Sequence, residues 1–159
     1  MADLRFGLGF DAHPRDEGRP LFLGGLRWEG EPGLAGHSDG DVVCHALADA
    51  LLGAASLGDL GEHFPESAPE LAGVAGPELL RRSTELVRAA GFDPHQVDLV
   101  VVADRPAIGP RRDEIREALA DVLGLPVERM SAKATRPEGL GLSGDGAACL
   151  ALAVVSPRA

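Results

Sequence analysis

The segment LRFGLGFDAH, residues 4–13, decides the first element of the fold because apolar residues alternate along it. A period of two is typical of a β-strand, whose successive side chains point to opposite faces. One face carries apolar side chains, and the opposite face carries Gly7, Gly9, Asp11 and His13. The two glycines leave room for another part of the protein to approach the backbone. Asp11 and His13 are predicted to point the same way at the end of the strand.

The segment VVCHALADALLGAASL, residues 42–57, predicts a helix, and the preceding SDGD offers several residues that could cap its N-terminus. His45 and Asp49 are four residues apart and therefore lie on one side of this helix. If the helix packs against the first strand, Asp11, His13 and His45 converge.

The remaining pattern predicts three strands, two helices and a hairpin. The expected elements are a hairpin over 20–28, a loop over 29–36, a long irregular loop over 56–76, a helix over 77–90, a strand over 97–103, a helix over 110–124, a strand over 129–135, a glycine-rich loop over 136–146 and a final strand over 147–155. We expect one α/β domain over residues 1–159, an α+β two-layer sandwich with a mixed sheet, helices on one face and a small hairpin.

Composition limits the possible functions. The chain has 159 residues and a net charge of −10, which argues against nucleic acid as a partner. An acidic protein that handles phosphates needs local positive charge, and a bound metal ion supplies it directly. No run of 18 apolar residues and no signal peptide are apparent, so we expect no membrane contact and a cytoplasmic location. Cys44 and Cys149 are expected to be buried free thiols.

The combination of Asp11, His13 and His45 suits zinc or a similar divalent ion, because it offers two imidazoles and one carboxylate. Three protein ligands leave a fourth position open, which is typical of a catalytic rather than a structural site. A second interpretation stays open at this stage. An Asp-x-His at a strand end is common without any function, and a histidine in an apolar helix is often a hydrogen-bonded core residue.

The chain resembles the 2-C-methyl-D-erythritol 2,4-cyclodiphosphate synthases along almost its whole length. The resemblance lies in GLGFDAH (7–13), GHSDGDVVCHALADALLGAASLGDLGEHFP (36–65), DRPAIGPRR (104–112) and the glycine-rich loop after KAT (133–135). It implies a homotrimer with active sites between subunits, which cyclises a cytidine diphosphate ester of methylerythritol 2-phosphate and releases CMP. It implies zinc at Asp11, His13 and His45, and magnesium or manganese held by Glu138. Glu138 is alternatively a solvated loop carboxylate.

The same resemblance assigns residues to the parts of the substrate. His37 and Ser38 would contact the methylerythritol phosphate, although Ser38 is alternatively a helix N-cap. The ribose would be bound by Asp49, Asp59 and Gly61, with a helix-surface charge as the alternative for Asp49. The remaining positions are a mobile loop over the methylerythritol (Phe64, Pro65, Glu66), a cytosine pocket in the turn 103–109 (Ala103, Pro106, Ala107, Ile108), and Thr135 near the phosphates.

The resemblance is incomplete in the nucleotide half. Ala107 stands where the family usually has lysine, and Arg136-Pro137 and Asp145 also depart from its pattern. Arg136 is a candidate to replace the missing lysine as a phosphate partner. These departures leave two other hypotheses open, namely a non-catalytic trimer that binds metal or nucleotide, and a generic metallophosphohydrolase.

Overall fold

The computed structural model describes residues 3–141 and 145–158, and its sheet has five strands. These are β1 (Arg5–Leu23), β2 (Leu26–Leu34), β3 (Phe92–Ala103), β4 (Met130–Thr135) and β5 (Gly146–Pro157). Their order across the sheet is β2-β1-β5-β3-β4. β3 and β4 are parallel, whereas β1–β2, β1–β5 and β3–β5 are antiparallel. The predicted mixed sheet is therefore confirmed.

Four helices accompany the sheet, and they are α1 (Val42–Ala54), α2 (Leu60–His63), α3 (Gly76–Ala89) and α4 (Arg112–Leu123). Short 3₁₀ turns lie at Pro69–Leu71, Gly109–Arg111 and Val127–Arg129. α1 packs on β1 and β5, α3 packs on α1, and α4 contacts β4. None of the helices in the described residues is long and apolar enough to cross a membrane.

Two glycines allow α1 to lie directly on the backbone of β1. A Cβ atom on Gly7 would stand 1.9 Å from the carbonyl oxygen of Ala50, and one on Gly9 would stand 1.9 Å from that of Ala46. Any larger residue would push the helix away from the strand. The expectation that this face leaves room for a close approach is confirmed, and α1 is the element that approaches.

The apolar face of β1 points away from the helices and is not part of the core. Phe6, Leu8 and Phe10 are 64%, 67% and 58% exposed, and Leu150 and Leu152 of the neighbouring β5 are also exposed. A contiguous apolar surface of this kind marks an interaction site in many proteins. The alternation of residues 4–13 indicates a strand but does not tell which of its faces packs on α1.

The structure corrects the expected hairpin and the loop after it. β1 continues to Leu23, so the first predicted strand and the first hairpin strand are one element. β2 continues to Leu34, so most of the predicted loop over 29–36 is strand, because Arg15 pairs with Leu34 and Asp16 with Gly33. The register shifts between Asp16 and Pro20, which lets the strand bend past its prolines.

Other predicted boundaries move by a few residues. α1 ends at Ala54 rather than at residue 57, and Ser56 has a left-handed backbone with φ of 60°. The predicted irregular loop over 56–76 contains α2 and one 3₁₀ turn. β3 begins at Phe92, earlier than expected, because its first residues pair with the end of β5. The predicted glycine-rich loop is described only in part, since residues 142–144 lie outside the described residues.

The two cysteines lie in the core as free thiols, as the sequence predicts. Burial raises the pKa of both thiols above the ordinary cysteine value, so both are protonated at neutral pH. Cys44 lies on α1 and donates to the Asp41 carboxylate over 3.3 Å.

Candidate metal centre

β1 and α1 bring one carboxylate and two imidazoles together where the helix packs on the strand. Asp11 Oδ2 lies 3.0 Å from Nε2 of His13 and 3.0 Å from Nδ1 of His45. One ligand atom from each of these residues lies within 4.8 Å of the other two. The two imidazole rings stand edge to face at 5.6 Å. The predicted convergence of the three residues is confirmed, and their donor atoms fit a divalent cation.

The three side chains are partly withdrawn from water, and this sets their protonation. Burial disfavours the charged form of Asp11, but hydrogen bonds and charges from His13 and His45 outweigh it and hold its pKa below the usual range. Burial also disfavours protonated His45, yet the Asp11 carboxylate outweighs it and raises the pKa of His45. Asp11 therefore stays an ionised carboxylate, which attracts cations. A proton on His45 competes with a metal ion for the imidazole nitrogen.

Ser38 fixes the orientation of the His45 ring. Ser38 Oγ lies 2.9 Å from His45 Nε2 and accepts the Gly40 N–H at 3.2 Å. When Nε2–H donates to Ser38, the Nδ1 that faces Asp11 is free to bind a cation. The alternative of Ser38 as the helix N-cap is wrong, because Asp41 caps α1 by accepting the N–H groups of Val43 and Cys44.

Side-chain hydrogen bonds tie the loop before α1 to β1 and to the β1–β2 turn. The Arg19 guanidinium of β1 donates to the carbonyl oxygens of Gly36 (2.6 Å) and Ser38. The fully buried Asp41 also accepts the N–H groups of Gly24 and Gly25, at 2.9 and 2.7 Å, and so ties the β1–β2 turn to α1. Nothing in the sequence points to Arg19, because it lies in a segment without a recognisable pattern.

A cavity of about 230 Å³ opens beside the three candidate ligands. Its polar lining includes His37, Ser38 and Asp49, and the segment after α1 contributes Gly61, Phe64 and Glu66. All of these are predicted site residues, whereas the aliphatic part of the lining is not predicted from the sequence. That part consists of Leu60, Leu71, Val74 and Leu79. Single leucines and valines in a loop or on a helix face look no different in sequence from ordinary core residues.

Asp49 and Asp59 both organise the segment that follows α1. Asp49 accepts the N–H of Leu60 at 2.7 Å, and Asp59 caps α2 by accepting the N–H of Glu62 at 2.9 Å. Asp49 lines the cavity, so it is more than a charge on the helix surface. Asp59 and Pro65 are exposed and lie outside the lining.

His37 presents an unsatisfied polar atom in this region. Its Nε2 is buried and has no hydrogen-bond partner, although the residue lines the cavity. A buried nitrogen without a partner is costly, so this atom indicates a ligand that brings a donor or an acceptor.

The residues predicted to contact the cytosine and the nucleotide phosphates do not line this cavity within one chain. The turn 103–109 begins at the last residue of β3. Thr135 is the last residue of β4, and Arg136 and Glu138 follow it. None of these residues lines the cavity. Ala107, Thr135, Arg136 and Glu138 are exposed, and Ala103, Pro106 and Ile108 are buried. Glu138 has a left-handed backbone with φ of 51°, which is uncommon for a residue other than glycine.

The fold and the cluster define a class, namely a mixed α/β protein in which two histidines and one aspartate on a strand and its adjoining helix could hold a metal ion. Residues 4–157 match the sequence model of the YgbB family, and the chain belongs to that family. The resemblance predicted from the sequence is thereby confirmed.

Known proteins similar to the chain include two bacterial relatives. The chain is 50% identical over 141 residues to the 2-C-methyl-D-erythritol 2,4-cyclodiphosphate synthase of Salinibacter ruber, covering 89% of this chain and 90% of that protein. It is 50% identical over 153 residues to the synthase of Gloeobacter violaceus, covering 96% and 94%. A solved structure of such a synthase in a CDP-bound form has a TM-score of 0.83 at 41% identity, covering 95% of this chain and 98% of that chain.

Proposed function

We propose that the chain is a metal-dependent cyclodiphosphate synthase. It converts 4-diphosphocytidyl-2-C-methyl-D-erythritol 2-phosphate to 2-C-methyl-D-erythritol 2,4-cyclodiphosphate and releases CMP, in the non-mevalonate route to isoprenoid precursors. The observation that carries the proposal is the Asp11, His13 and His45 cluster beside a cavity, in a chain with 50% identity to named synthases. The buried free thiols are consistent with work in a reducing cytoplasm.

Zinc is the ion that these donors suit best. Two imidazole nitrogens and one carboxylate oxygen are a common catalytic zinc set, and Ser38 supplies the supporting hydrogen bond to His45. When bound there, the ion would act as a Lewis acid and neutralise charge on the diphosphate. Such an ion would supply positive charge for the anionic substrate, because the described residues that line the cavity include no lysine or arginine.

The nucleophile is the substrate's own 2-phosphate, so the chain needs no nucleophilic side chain. An oxygen of that phosphate bonds to the β-phosphorus, the bond from the β-phosphorus to the bridging oxygen breaks, and CMP leaves with that oxygen. Ring closure within one molecule depends mainly on orientation. His37 and Ser38 hold the methylerythritol phosphate, and the unpartnered His37 Nε2 supports this role.

The remaining contacts follow the parts of the substrate. Asp49, Asp59 and Gly61 bind the ribose hydroxyls, and Phe64, Pro65 and Glu66 cover the methylerythritol. Backbone groups of the turn 103–109 bind cytosine, and Thr135 and Arg136 bind the phosphates. Glu138 would hold a second ion, magnesium or manganese, that neutralises charge on the diphosphate. Its exposure and left-handed backbone support a loop shaped to present the carboxylate.

The separation of the two groups of residues supports active sites between the subunits of a homotrimer. Asp11, His13 and His45 line the cavity, but the turn 103–109 and Glu138 lie elsewhere in the same chain. A neighbouring copy that offers its own turn would complete the site. The exposed Phe6, Leu8 and Phe10 give the apolar surface that such copies would bury. Sedimentation at the mass of three chains supports this assembly, and a monomer that is fully active contradicts it.

The direct test measures products from the cytidine diphosphate substrate with Zn²⁺ and Mg²⁺ added. The proposal expects CMP and the cyclic diphosphate in equal amounts, and loss of both when a chelator removes the metal. A folded, zinc-loaded protein that releases no CMP would favour a non-catalytic binding trimer. Release of a linear phosphate in place of the cyclic product would favour a metallophosphohydrolase.

A further inference from the structure

Asp39 is a buried carboxylate that the proposed reaction does not use. It is 9% exposed, and its Oδ1 and Oδ2 accept the N–H groups of Asp41 at 3.0 Å and Gly76 at 2.7 Å. Its own N–H donates to the carbonyl oxygen of Val74 at 3.1 Å. Nearby, the Gly73 N–H donates to the carbonyl oxygen of His37 at 2.8 Å. These bonds join two separate parts of the chain.

One of those parts is the segment 64–76, which we call the cover segment. Phe64, Glu66, Leu71 and Val74 of this segment line the cavity. Within residues 65–72 the backbone hydrogen bonds are local, such as Ala68 N–H to Pro65 and Leu71 N–H to Ala68. Only from residue 73 onward does the segment bond to the loop before α1. The backbone bonds in the middle of the cover segment are therefore made within the segment. Its C-terminal end bonds to the loop before α1.

The other part is the loop 37–41, which carries His37 and Ser38 into the cavity. We propose that Asp39 is a positioning residue that fixes the C-terminal end of the cover segment to this loop, so that residues 64–72 close over bound substrate against a constant hinge. The inference rests on the proposed function, because it takes the substrate to be what the segment covers.

The chemistry of the contact explains why this position needs a carboxylate. Each oxygen of Asp39 accepts one backbone N–H, and one of these belongs to Gly76 in the first turn of α3. Burial and the nearby Asp41 raise the pKa of Asp39, but the two N–H donors oppose this shift. An asparagine has a single acceptor oxygen, so its NH₂ group would face one of the two N–H donors.

The variant Asp39→Asn tests the proposal. We expect KM for the cytidine diphosphate substrate to rise about tenfold, kcat to change less than about threefold, and the Kd for Zn²⁺ to stay within about twofold, because the three metal ligands are untouched. The control is Leu80→Ala, which removes a fully buried side chain from the same helix α3. It lowers the melting temperature without the selective rise in KM. An unchanged KM in folded Asp39→Asn overturns the proposal.

Amide hydrogen exchange on the wild-type protein gives a second test that does not depend on a variant folding. We expect the amides of Asp39, Gly73 and Gly76 to exchange at least about a hundredfold more slowly than those of Glu66 and Glu70, with and without CDP. Equal rates at Gly76 and Glu70 would overturn the proposed hinge. Failure of the proposed function looks different, since it would be seen as wild-type protein that releases no CMP whatever these amides do.

Discussion

The two halves of the proposed active site are built in opposite ways. The metal half lies between β1 and α1, where Asp11, His13 and His45 meet beside almost fully buried helix residues. The nucleotide half consists of loops after β3 and β4, where Ala107, Arg136 and others are exposed. One chain thus brings the residues of the first half together by itself, whereas the described residues of the second half do not line the cavity beside the first. The proposed metal ligands therefore depend on the packing of α1 on β1, whereas the proposed nucleotide contacts depend on exposed loops.

The largest effect should come from removing a ligand in the metal half. We expect His45→Ala to lose bound zinc and at least about 10³-fold in kcat, since a Lewis-acid ion contributes several kcal/mol. The helix should survive, because the fully buried Leu47, Leu51 and Leu52 still pack into the core. Zinc content and CMP release are the measurements.

The matched control for His45→Ala is His95→Ala. His95 lies on β3 beside Arg129, far along the chain from the cluster. Its loss should leave zinc and CMP release unchanged. A His45→Ala protein that lacks zinc yet releases CMP at the normal rate would contradict the contrast between the two halves.

The next effect tests whether backbone contact fixes the metal half. Gly9→Ala would place its Cβ 1.9 Å from the carbonyl oxygen of Ala46, so α1 must move away from β1. We expect a loss of about 3 kcal/mol of unfolding free energy, or no folded protein. Gly53→Ala is the control, because Gly53 lies on the exposed side of α1 with nothing within 4 Å. It should instead stabilise the helix by about 0.5–1 kcal/mol.

Thermal and urea unfolding measure both changes. If Gly9→Ala and Gly53→Ala had the same melting temperature, the close approach of α1 to β1 would not be what holds the ligands in place.

The sequence predicts much of the metal half for a physical reason. The alternation around Gly7 and Gly9 and the helical spacing in residues 42–57 are both local patterns, and each places a ligand at a defined point. The sequence does not show which face of β1 packs on α1. Phe6 and Phe10 have the pattern of core residues, but the structure exposes them because the glycine face is the one that α1 covers.

The loops were harder to predict because their hydrogen bonds join residues far apart in sequence. Ser38 was expected to cap a helix or to contact substrate, and its bond to His45 depends on how the loop turns back. Asp39 and Gly76 are 37 residues apart, and no local pattern connects them. The extension of β2 to Leu34 similarly depends on its pairing with Arg15 and Asp16 of β1.

A smaller effect concerns the support of the metal ligands. We expect Ser38→Ala to weaken zinc binding about tenfold in the absence of substrate, because His45 Nε2 loses its hydrogen-bond partner. Zinc titration against a chelator of known affinity measures this change. Ser83→Ala is the control, since Ser83 is a buried serine whose hydroxyl donates to Leu79 within α3. Equal zinc affinity in the two variants would remove Ser38 from the metal half and leave it as a substrate contact only.

The smallest effect belongs to the nucleotide half and concerns Arg136, the proposed phosphate partner in that half. Arg136 is exposed and follows Thr135 at the end of β4, at the same edge of the sheet as the turn 103–109, because β3 and β4 are parallel. A guanidinium there could pair with a phosphate of the nucleotide. Exposure limits such a pair to about 1 kcal/mol, so Arg136→Ala should weaken CDP binding about threefold to tenfold and leave zinc binding unchanged.

Isothermal titration with CDP at low and high salt separates this contact from general charge effects. Arg112→Ala removes the same charge from the exposed first residue of α4 and should alter CDP affinity little at either salt concentration. If the two variants bind CDP equally well, Arg136 has no role in the nucleotide half. The backbone of the turn 103–109 and the bound ions would then have to hold the nucleotide without a cationic side chain at that position. Nucleotide binding would therefore depend strongly on the ions held in the metal half.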